Sequence, residues 1–243
     1  MPRWNPWHGC TKVSEGCRNC YVYSRDEQVG RDAAIPVKTA TFSLPVQKNR
    51  RKEYRLRPED GVVYTCFTSD FFHPAADEWR IEAWQMIRQR KDLKFLIITK
   101  RPERFFTSLP EDWGSGYENV TICCSCENQT MTDQRLPVFL ELPIRHREIV
   151  HAPLLGAIDI RRYLEQYGER IEGVTCGGES GRGARLCDYR WVLSIREQCV
   201  EYGIPFHFQQ TGSLFLKDGK IYRIDRKNQL RQAAKANIDY RYL

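Results

Sequence analysis

Six short apolar runs, rich in β-branched and aromatic residues, recur along the sequence at a regular distance. Their first residues lie 25 to 33 positions apart, which is the length of one strand, one helix and their connections. Nearly continuous apolar runs are typical of parallel strands that are buried on both faces. The sequence therefore predicts a parallel α/β fold. The runs are GVVYTC (61–66), KFLIIT (94–99), NVTICC (119–124), REIVH (147–151), EGVTC (172–176) and PFHFQ (205–209).

Helical patterns fill the intervals between these runs. Asp77 and Asp188 are each predicted to cap a helix, because each precedes apolar residues at helical spacing. Segment 128–141 also has a helical pattern, but Pro137 predicts a kink or break in it. A seventh strand near 4–7 fits the same architecture. We expect a partial or closed parallel (β/α) barrel, with a doubly wound sheet as the second choice.

Two basic segments fall outside this repeat. Residues 33–60 have no helical period and contain QKNRRKEYRLR, so they are predicted to be an insertion. Near the C-terminus, LFLKDGKIYRI contains Asp218-Gly219, a dipeptide that predicts a two-residue hairpin turn, and a basic tail follows it. The predicted division is a barrel domain over 1–212 and a C-terminal hairpin and basic tail over 213–243.

The charge of the chain bears on its partners. Thirty-eight basic and 31 acidic residues give a formal net charge of +7. Basic residues cluster at 48–57 and 226–241, so nucleic acid is the expected partner of these segments; solvated surface arms are the alternative. No run approaches about 18 consecutive apolar residues, which argues against a transmembrane helix and a membrane partner. The N-terminus lacks a signal-peptide pattern, so we expect a cytoplasmic protein.

Polar and charged residues directly follow the predicted strands. Because the carboxyl ends of parallel strands meet at one edge of a sheet, these side chains are expected to converge there. Burying them without partners is costly, so a polar ligand pocket is expected, although caps and turns use the same residue types. The residues are Ser69, Asp70, Lys100, Arg101, Ser125, Glu127, His151, Gly178 and Glu179.

Three cysteines stand close together near the N-terminus. Cys10, Cys17 and Cys20 form the pattern C-x6-C-x2-C. In a reducing compartment, such spacing indicates metal binding rather than a disulfide. Zn could take the three thiolates with His8 as fourth ligand, whereas a cubane iron–sulfur cluster would leave one iron open to a small chelating molecule. The spacing alone leaves both alternatives open.

Long stretches of the chain resemble a phage-associated family of uncharacterised proteins. That family is known by its three-cysteine motif and is similar to radical S-adenosylmethionine enzymes. The resemblance runs in order from residue 4 to about residue 213. Two features depart from the pattern: the first cysteine gap is six residues rather than the superfamily's usual three, and His151-Ala152-Pro153 replaces the family's usual acidic residue before PLLG. The stretches are WNPWHGCTKVSEGCRNCY, TSDFFH, FLIITKRPERF, NVTICCSCENQ, RLP, PLLGAID, VTCGGESGRGARLCDYRWVLSIREQC and FQQTG.

The resemblance implies a radical S-adenosylmethionine enzyme. In that superfamily, the open iron of a [4Fe-4S] cluster chelates S-adenosylmethionine, and reductive cleavage gives a 5′-deoxyadenosyl radical that abstracts hydrogen from a substrate. An electron donor is then an expected partner, and nucleic acid is the candidate substrate. The alternative is a zinc-stabilised nucleic-acid-binding protein without catalysis.

The same resemblance implies roles for individual residues. Cys10, Cys17 and Cys20 are expected to ligate the cluster, and Tyr21 to pack over it. A carboxylate suits the ammonium group of the cofactor, and a cation suits its carboxylate. By strand order, the expected contacts are Ser69 and Asp70 with the amino group, Lys100 or Arg101 with the carboxylate, Ser125 and Glu127 with the ribose, and Gly178 and Glu179 with the adenosine or the substrate.

Overall fold

The computed structural model describes residues 1–241 as alternating strands and helices. The strands are β1 (Arg3–Trp4), β2 (Trp7–His8), β3 (Val37–Lys38), β4 (Val63–Thr65), β5 (Phe95–Thr99), β6 (Val120–Ser125), β7 (His146–His151), β8 (Gly173–Gly177), β9 (Leu186–Asp188), β10 (Phe206–Gln210), β11 (Leu214–Lys217) and β12 (Lys220–Arg223). The helices are α1 (Tyr21–Glu27), α2 (Asp77–Gln89), α3 (Gln129–Glu141), α4 (Arg161–Tyr167), α5 (Tyr189–Glu201) and α6 (Arg226–Ala236).

Seven strands form one parallel sheet in the order β1-β4-β5-β6-β7-β8-β10. All six predicted runs and the seventh N-terminal strand are present. The sheet is a half-barrel, because β1 and β10 stand at its two edges and do not pair with each other. The apolar runs are buried, and every residue of β8 is buried. The expectation of a partial parallel barrel is therefore confirmed.

The helix predictions are met unevenly. Asp188 caps α5, since its side chain accepts a hydrogen bond from the Arg190 amide at 2.9 Å. Asp77 is instead the first residue of α2, because a 3₁₀ turn precedes the helix and places Ala76 at the cap position. The predicted break at Pro137 is absent, since α3 runs through it to Glu141 and buries an apolar face there.

The C-terminal segment is more ordered than a tail. Asp218 and Gly219 both have positive φ angles, of +51° and +72°, and form the predicted turn between β11 and β12. β11 also pairs in parallel with β9, which ties the hairpin to the sheet domain. The predicted basic tail is in fact α6, whose buried Gln229 and Ala233 pack it against the body of the protein. The last two residues of the predicted unit 213–243 lie outside the described residues.

The insertion at 33–60 is anchored at both ends. β3 pairs in antiparallel fashion with β2. Further along, the buried Arg90 donates hydrogen bonds to the carbonyl oxygens of Pro45 and Leu56, the latter at 2.8 Å. Over residues 1–241, none of the helices has the length and apolar character needed to cross a membrane.

Candidate functional site

The three cysteines lie in a loop, residues 9–20, that we call the cysteine loop. Its first residue is tied to the end of β4: the Gly9 amide donates to the Thr68 carbonyl oxygen at 3.0 Å, and the Ser69 hydroxyl donates to the Gly9 carbonyl. The Cys10 amide donates to the Ala33 carbonyl oxygen at 2.7 Å. The loop therefore starts at the carboxyl edge of the sheet, where Ser69 was predicted to face a ligand.

A buried ion pair at the end of β5 holds the next part of the loop. Arg101, only 4% exposed, donates to the Thr11 carbonyl at 2.8 Å and to the Thr11 hydroxyl at 3.0 Å. Its other terminal nitrogen lies 3.5 Å from Cys10 Sγ and 3.1 Å from an Asp70 carboxylate oxygen. Asp70 in turn accepts from the Thr99 hydroxyl at 2.8 Å. Asp70 and Arg101 thus position the loop beside Cys10.

A second buried pair, after β6, holds the middle of the loop. Glu127 is fully buried and accepts from the Gly16 amide at 2.9 Å and from Arg135 at 2.8 Å. Burial by itself would raise the pKa of Glu127, but the Ser14 side chain, the charge of Arg135 and the Gly16 amide together outweigh it and hold the pKa below its ordinary value. A Cβ on Gly16 would lie 2.7 Å from Glu127 Cδ, so only glycine fits this contact.

Glu179, which follows β8, holds the end of the loop. It accepts from the Asn19 side-chain amide at 3.0 Å and pairs with Arg185 through a 2.6 Å contact. Arg185 also donates to the Glu15 carbonyl oxygen at 3.0 Å. Residues from the ends of β4, β5, β6 and β8 therefore each bind a different part of the cysteine loop. These residues at the edge of the half-barrel hold the loop in place, and we call them its frame.

The three loop thiols are free and half-buried. Burial raises the pKa of Cys10 to about 11 and also raises the pKa of Cys20, and Cys17 contributes to both shifts. Cys17 therefore lies within electrostatic range of both other thiols. Cys10 Sγ lies 3.4 Å from the Thr11 carbonyl oxygen. Within residues 1–241, no group of three or more His, Cys, Asp or Glu side chains is already arranged to hold a metal ion.

Cations stand next to these thiols. Arg101 opposes the rise in the pKa of Cys10, and Lys100 opposes that of Cys20. Thiolates are the form that binds metals, so these cations partly offset the burial that favours the neutral thiols. Three thiols in one loop with cations beside them fit the ligand chemistry of an iron–sulfur cluster.

Two other residues singled out from the sequence have partners of their own. His8 Nε2 lies 2.7 Å from an Asp26 carboxylate oxygen, so the predicted fourth zinc ligand is already paired. The Tyr21 hydroxyl donates to the Phe67 carbonyl oxygen, and the residue is 38% exposed. The role of either residue at a metal centre stays a prediction.

Of the remaining predicted residues, Lys100 and Ser125 meet each other. Lys100 Nζ donates to Ser125 Oγ at 2.7 Å, across the ends of the neighbouring strands β5 and β6. Gly178 has a packing reason to be glycine, since a Cβ there would lie 2.2 Å from the Thr211 carbonyl oxygen. Their predicted contacts with a cofactor stay predictions.

Other residues of this arrangement were not found from the sequence. Thr11 and Asn19 lie in the loop itself, Arg185 binds the loop, and Arg135 holds Glu127. Arg135 stands in RLP, one of the stretches that carry the resemblance, but nothing in that stretch marks a partner for Glu127. Arg185 is 170 positions from Glu15, the residue whose carbonyl it reaches. Only the path of the loop over the sheet brings these groups together.

Comparisons with known proteins add a family. The model of the family described as "Protein of unknown function (DUF5131)" matches residues 2–239, which include the cysteine loop, the half-barrel and α6. A search of curated proteins and a search of solved structures each found no match.

Proposed function

Because the chain belongs to this family of unknown function, DUF5131, we propose its function from the site: it is an iron–sulfur enzyme of the radical S-adenosylmethionine type. The substrate class we propose is nucleic acid. One observation carries the proposal: a loop with three free thiols is fixed across the carboxyl edge of an open parallel half-barrel by side chains from four strand ends. That edge is where parallel α/β folds build their active sites.

Cys10, Cys17 and Cys20 are the residues that would hold the cluster. When bound, a [4Fe-4S] cluster with one open iron supplies the electron that cleaves S-adenosylmethionine to a 5′-deoxyadenosyl radical. The role of the surrounding residues is to hold the three thiols together at the sheet edge. Glu127 does this through the Gly16 amide, and Arg101 does it through Thr11.

The contacts divide the predicted binding residues into two groups. The side chains of Asp70, Arg101, Glu127 and Glu179 are committed to the cysteine loop or to the residues that hold it. Within residues 1–241, the side chains of Lys100 and Ser125 bond only to each other, and the charge of Lys100 acts on Cys20. We therefore assign the cofactor's carboxylate to Lys100 and a ribose hydroxyl to Ser125.

The test is anaerobic purification and reconstitution with iron and sulfide. The wild-type protein is expected to be brown, to hold about four irons per chain, and to release 5′-deoxyadenosine from S-adenosylmethionine under a strong reductant. Cys17→Ala is expected to lose the iron, the colour and the cleavage. Cys199→Ala, which removes a buried thiol on α5, is the matched control and keeps all three.

Two results would contradict the proposal. A colourless wild-type protein with one zinc per chain would favour the zinc-stabilised binding protein instead. A protein that holds the cluster but releases no 5′-deoxyadenosine would be a scaffold without this catalysis. Lys100→Met separates binding from assembly, since it is expected to keep the iron and weaken binding of S-adenosylmethionine.

A further inference from the structure

A cavity of about 530 Å³ lies apart from the cysteine loop, between the β11–β12 hairpin, α6 and the start of α5. Its lining combines aromatic and basic residues. Thr211, at the end of β10, also lines it. The carbonyl oxygen of Thr211 packs against Gly178, whose neighbour Glu179 holds Asn19 of the cysteine loop. The cavity and the cysteine loop therefore share a structural wall while remaining separate sites.

Four aromatic side chains line the cavity. Phe208 and Phe215 are buried and stack with their ring centroids 6.0 Å apart. Tyr189 lies on the same cluster, 5.6 Å from Phe215, and is partly accessible. Tyr222 is 45% exposed on β12. An aromatic cluster with accessible tyrosines at its rim offers flat apolar faces on which a planar ring can stack.

Three cations surround these rings and come from three different elements. They are Lys217 of β11, Arg223 of β12 and Lys235 of α6. Over residues 1–241, no carboxylate forms an ion pair with any of them, and Asp225 is the one acidic residue in the cavity lining. Lys217 Nζ lies 5.2 Å from the centre of the Tyr189 ring. The basic side chains Lys217, Arg223 and Lys235, which we call the cationic rim, thus surround the aromatic side chains of the cavity.

We propose that this cavity binds single-stranded nucleic acid. One base stacks on the aromatic side chains, and the flanking phosphates contact Lys217, Arg223 and Lys235. Aromatic platforms bordered by basic residues are the general means by which proteins bind single strands without reading their sequence. The cavity would anchor the strand beside the cysteine loop and would not hold the reacting nucleotide. The proposal names the substrate class of the proposed function, but binding here needs no metal centre.

Fluorescence anisotropy with a labelled 12-nucleotide oligo(dT) or oligo(U) tests the cationic rim. The triple variant Lys217→Ala, Arg223→Ala, Lys235→Ala is expected to bind at least tenfold more weakly at low salt. Each lost phosphate contact lowers the slope of log affinity against log salt by about 0.7, so the slope should fall by about 2. The control Lys91→Ala, Lys94→Ala, Arg170→Ala removes the same charge at exposed positions outside the cavity and outside the basic segments, and should change affinity less than threefold.

The aromatic part has its own test. Tyr222→Ala is expected to weaken binding at least fivefold with an unchanged salt slope, because stacking is lost and no charge is removed. Ile221→Ala, the exposed neighbour outside the cavity lining, is the control and should bind like the wild type. Circular dichroism checks that each variant keeps its fold.

Three outcomes would overturn the proposal: no binding of the oligonucleotide at low salt, equal losses in the two triple variants, or equally tight binding of a duplex. Cys17→Ala is expected to bind the oligonucleotide with wild-type affinity. A failure of the iron chemistry and a failure of this binding site are therefore separate results.

Discussion

The cysteine loop and the basic segment 48–57 are both connections between regular elements, yet they are held in opposite ways. Buried or half-buried side chains from four strand ends bind the cysteine loop. The basic segment bonds mainly to itself: the Asn49 amide donates to the Glu53 carbonyl oxygen at 2.8 Å, and Lys48 bridges to Tyr54. Arg90 holds the preceding Pro45 and, inside the segment, the Leu56 carbonyl oxygen and the Tyr54 ring, whose centre lies 3.9 Å from its guanidinium carbon.

The two segments differ in whether buried ion pairs hold them in place. An ion pair buried at a strand end is stable only with good geometry and further hydrogen bonds. The pair of Glu127 and Arg135 has both. Through Glu127, it fixes the position of Gly16 in the cysteine loop. The arginines of the basic segment are exposed, and their hydrogen bonds run to residues close in sequence. A precisely held loop suits a metal centre, whereas a hydrated basic segment suits a variable polyanion.

The largest effect is expected from a substitution that removes a side chain holding the cysteine loop. Glu127→Leu leaves Arg135 buried without its partner, which typically lowers the free energy of unfolding by about 3–5 kcal/mol. The loss of the Gly16 contact should also raise the rate at which the loop thiols react with a thiol reagent. Urea unfolding and reaction with such a reagent measure the two effects.

The control for this change is Glu118→Gln, which removes an exposed partner of Arg145. Exposed ion pairs contribute about 0–1 kcal/mol, so stability and thiol reactivity should both stay close to wild type. Equal effects of the two substitutions would mean that the buried pair does not hold the loop.

The second prediction concerns β7, the strand between β6 and β8 whose end does not hold the loop. His151, fully buried at that end, donates from Nδ1 to the Cys126 carbonyl oxygen at 2.7 Å, and burial lowers its pKa from 6.5 to about 4. Between these two pH values the unfolded chain binds more protons than the folded chain. Stability is therefore fully present above pH 6.5 and falls as the pH approaches 4, by about 3 kcal/mol.

His151→Asn keeps a side-chain N–H donor and removes the titrating ring. The difference in unfolding free energy between wild type and variant should therefore shift against the wild type as the pH is lowered from 7 to 4.5. Urea unfolding at the two pH values measures this shift. Parallel losses in both proteins would show that His151 does not titrate in this interval, and that β7 differs from its neighbours in some other respect.

The contacts of the cysteine loop also show which features could be predicted from the sequence. Six strands of the parallel sheet were predictable because each buried run is apolar over its own few residues, whatever its neighbours. The residues at the sheet edge were predictable as well, since Glu127 and Glu179 directly follow strands. Their partners were not, because Gly16 and Asn19 reach them only through the path of a loop more than 100 positions away.

Other elements were missed because their local signal is weak. α6 contains mostly polar and charged residues, and the two side chains it buries, Gln229 and Ala233, do not form an apolar stripe. Its place is fixed by tertiary contacts such as the bond from Gln229 to the Ser213 hydroxyl at 3.0 Å. A helix of this kind reads as a basic tail until the surface it packs against is known.

The third prediction tests the fit between the loop and its frame. Gly16→Ala places a methyl group 2.7 Å from Glu127 Cδ, and Glu127 cannot move freely because Arg135 holds it. Overpacking of this kind costs about 1–3 kcal/mol. The variant should also expose Cys17 to faster modification. Gly156→Ala, where a Cβ meets no atom within 4 Å, is the control and should leave stability and thiol reactivity unchanged.

The smallest effect is expected in the basic segment. Arg50 and Arg51 are exposed, and their side chains form no ion pair or hydrogen bond within the described part of the chain. The double substitution Arg50→Ala, Arg51→Ala should therefore change the free energy of unfolding by less than about 0.5 kcal/mol and leave the reactivity of the loop thiols at its wild-type value. A loss above about 1 kcal/mol in urea unfolding would mean that this segment, too, is held by its charged side chains. The two loops would then differ in which groups hold them and not in how firmly they are held.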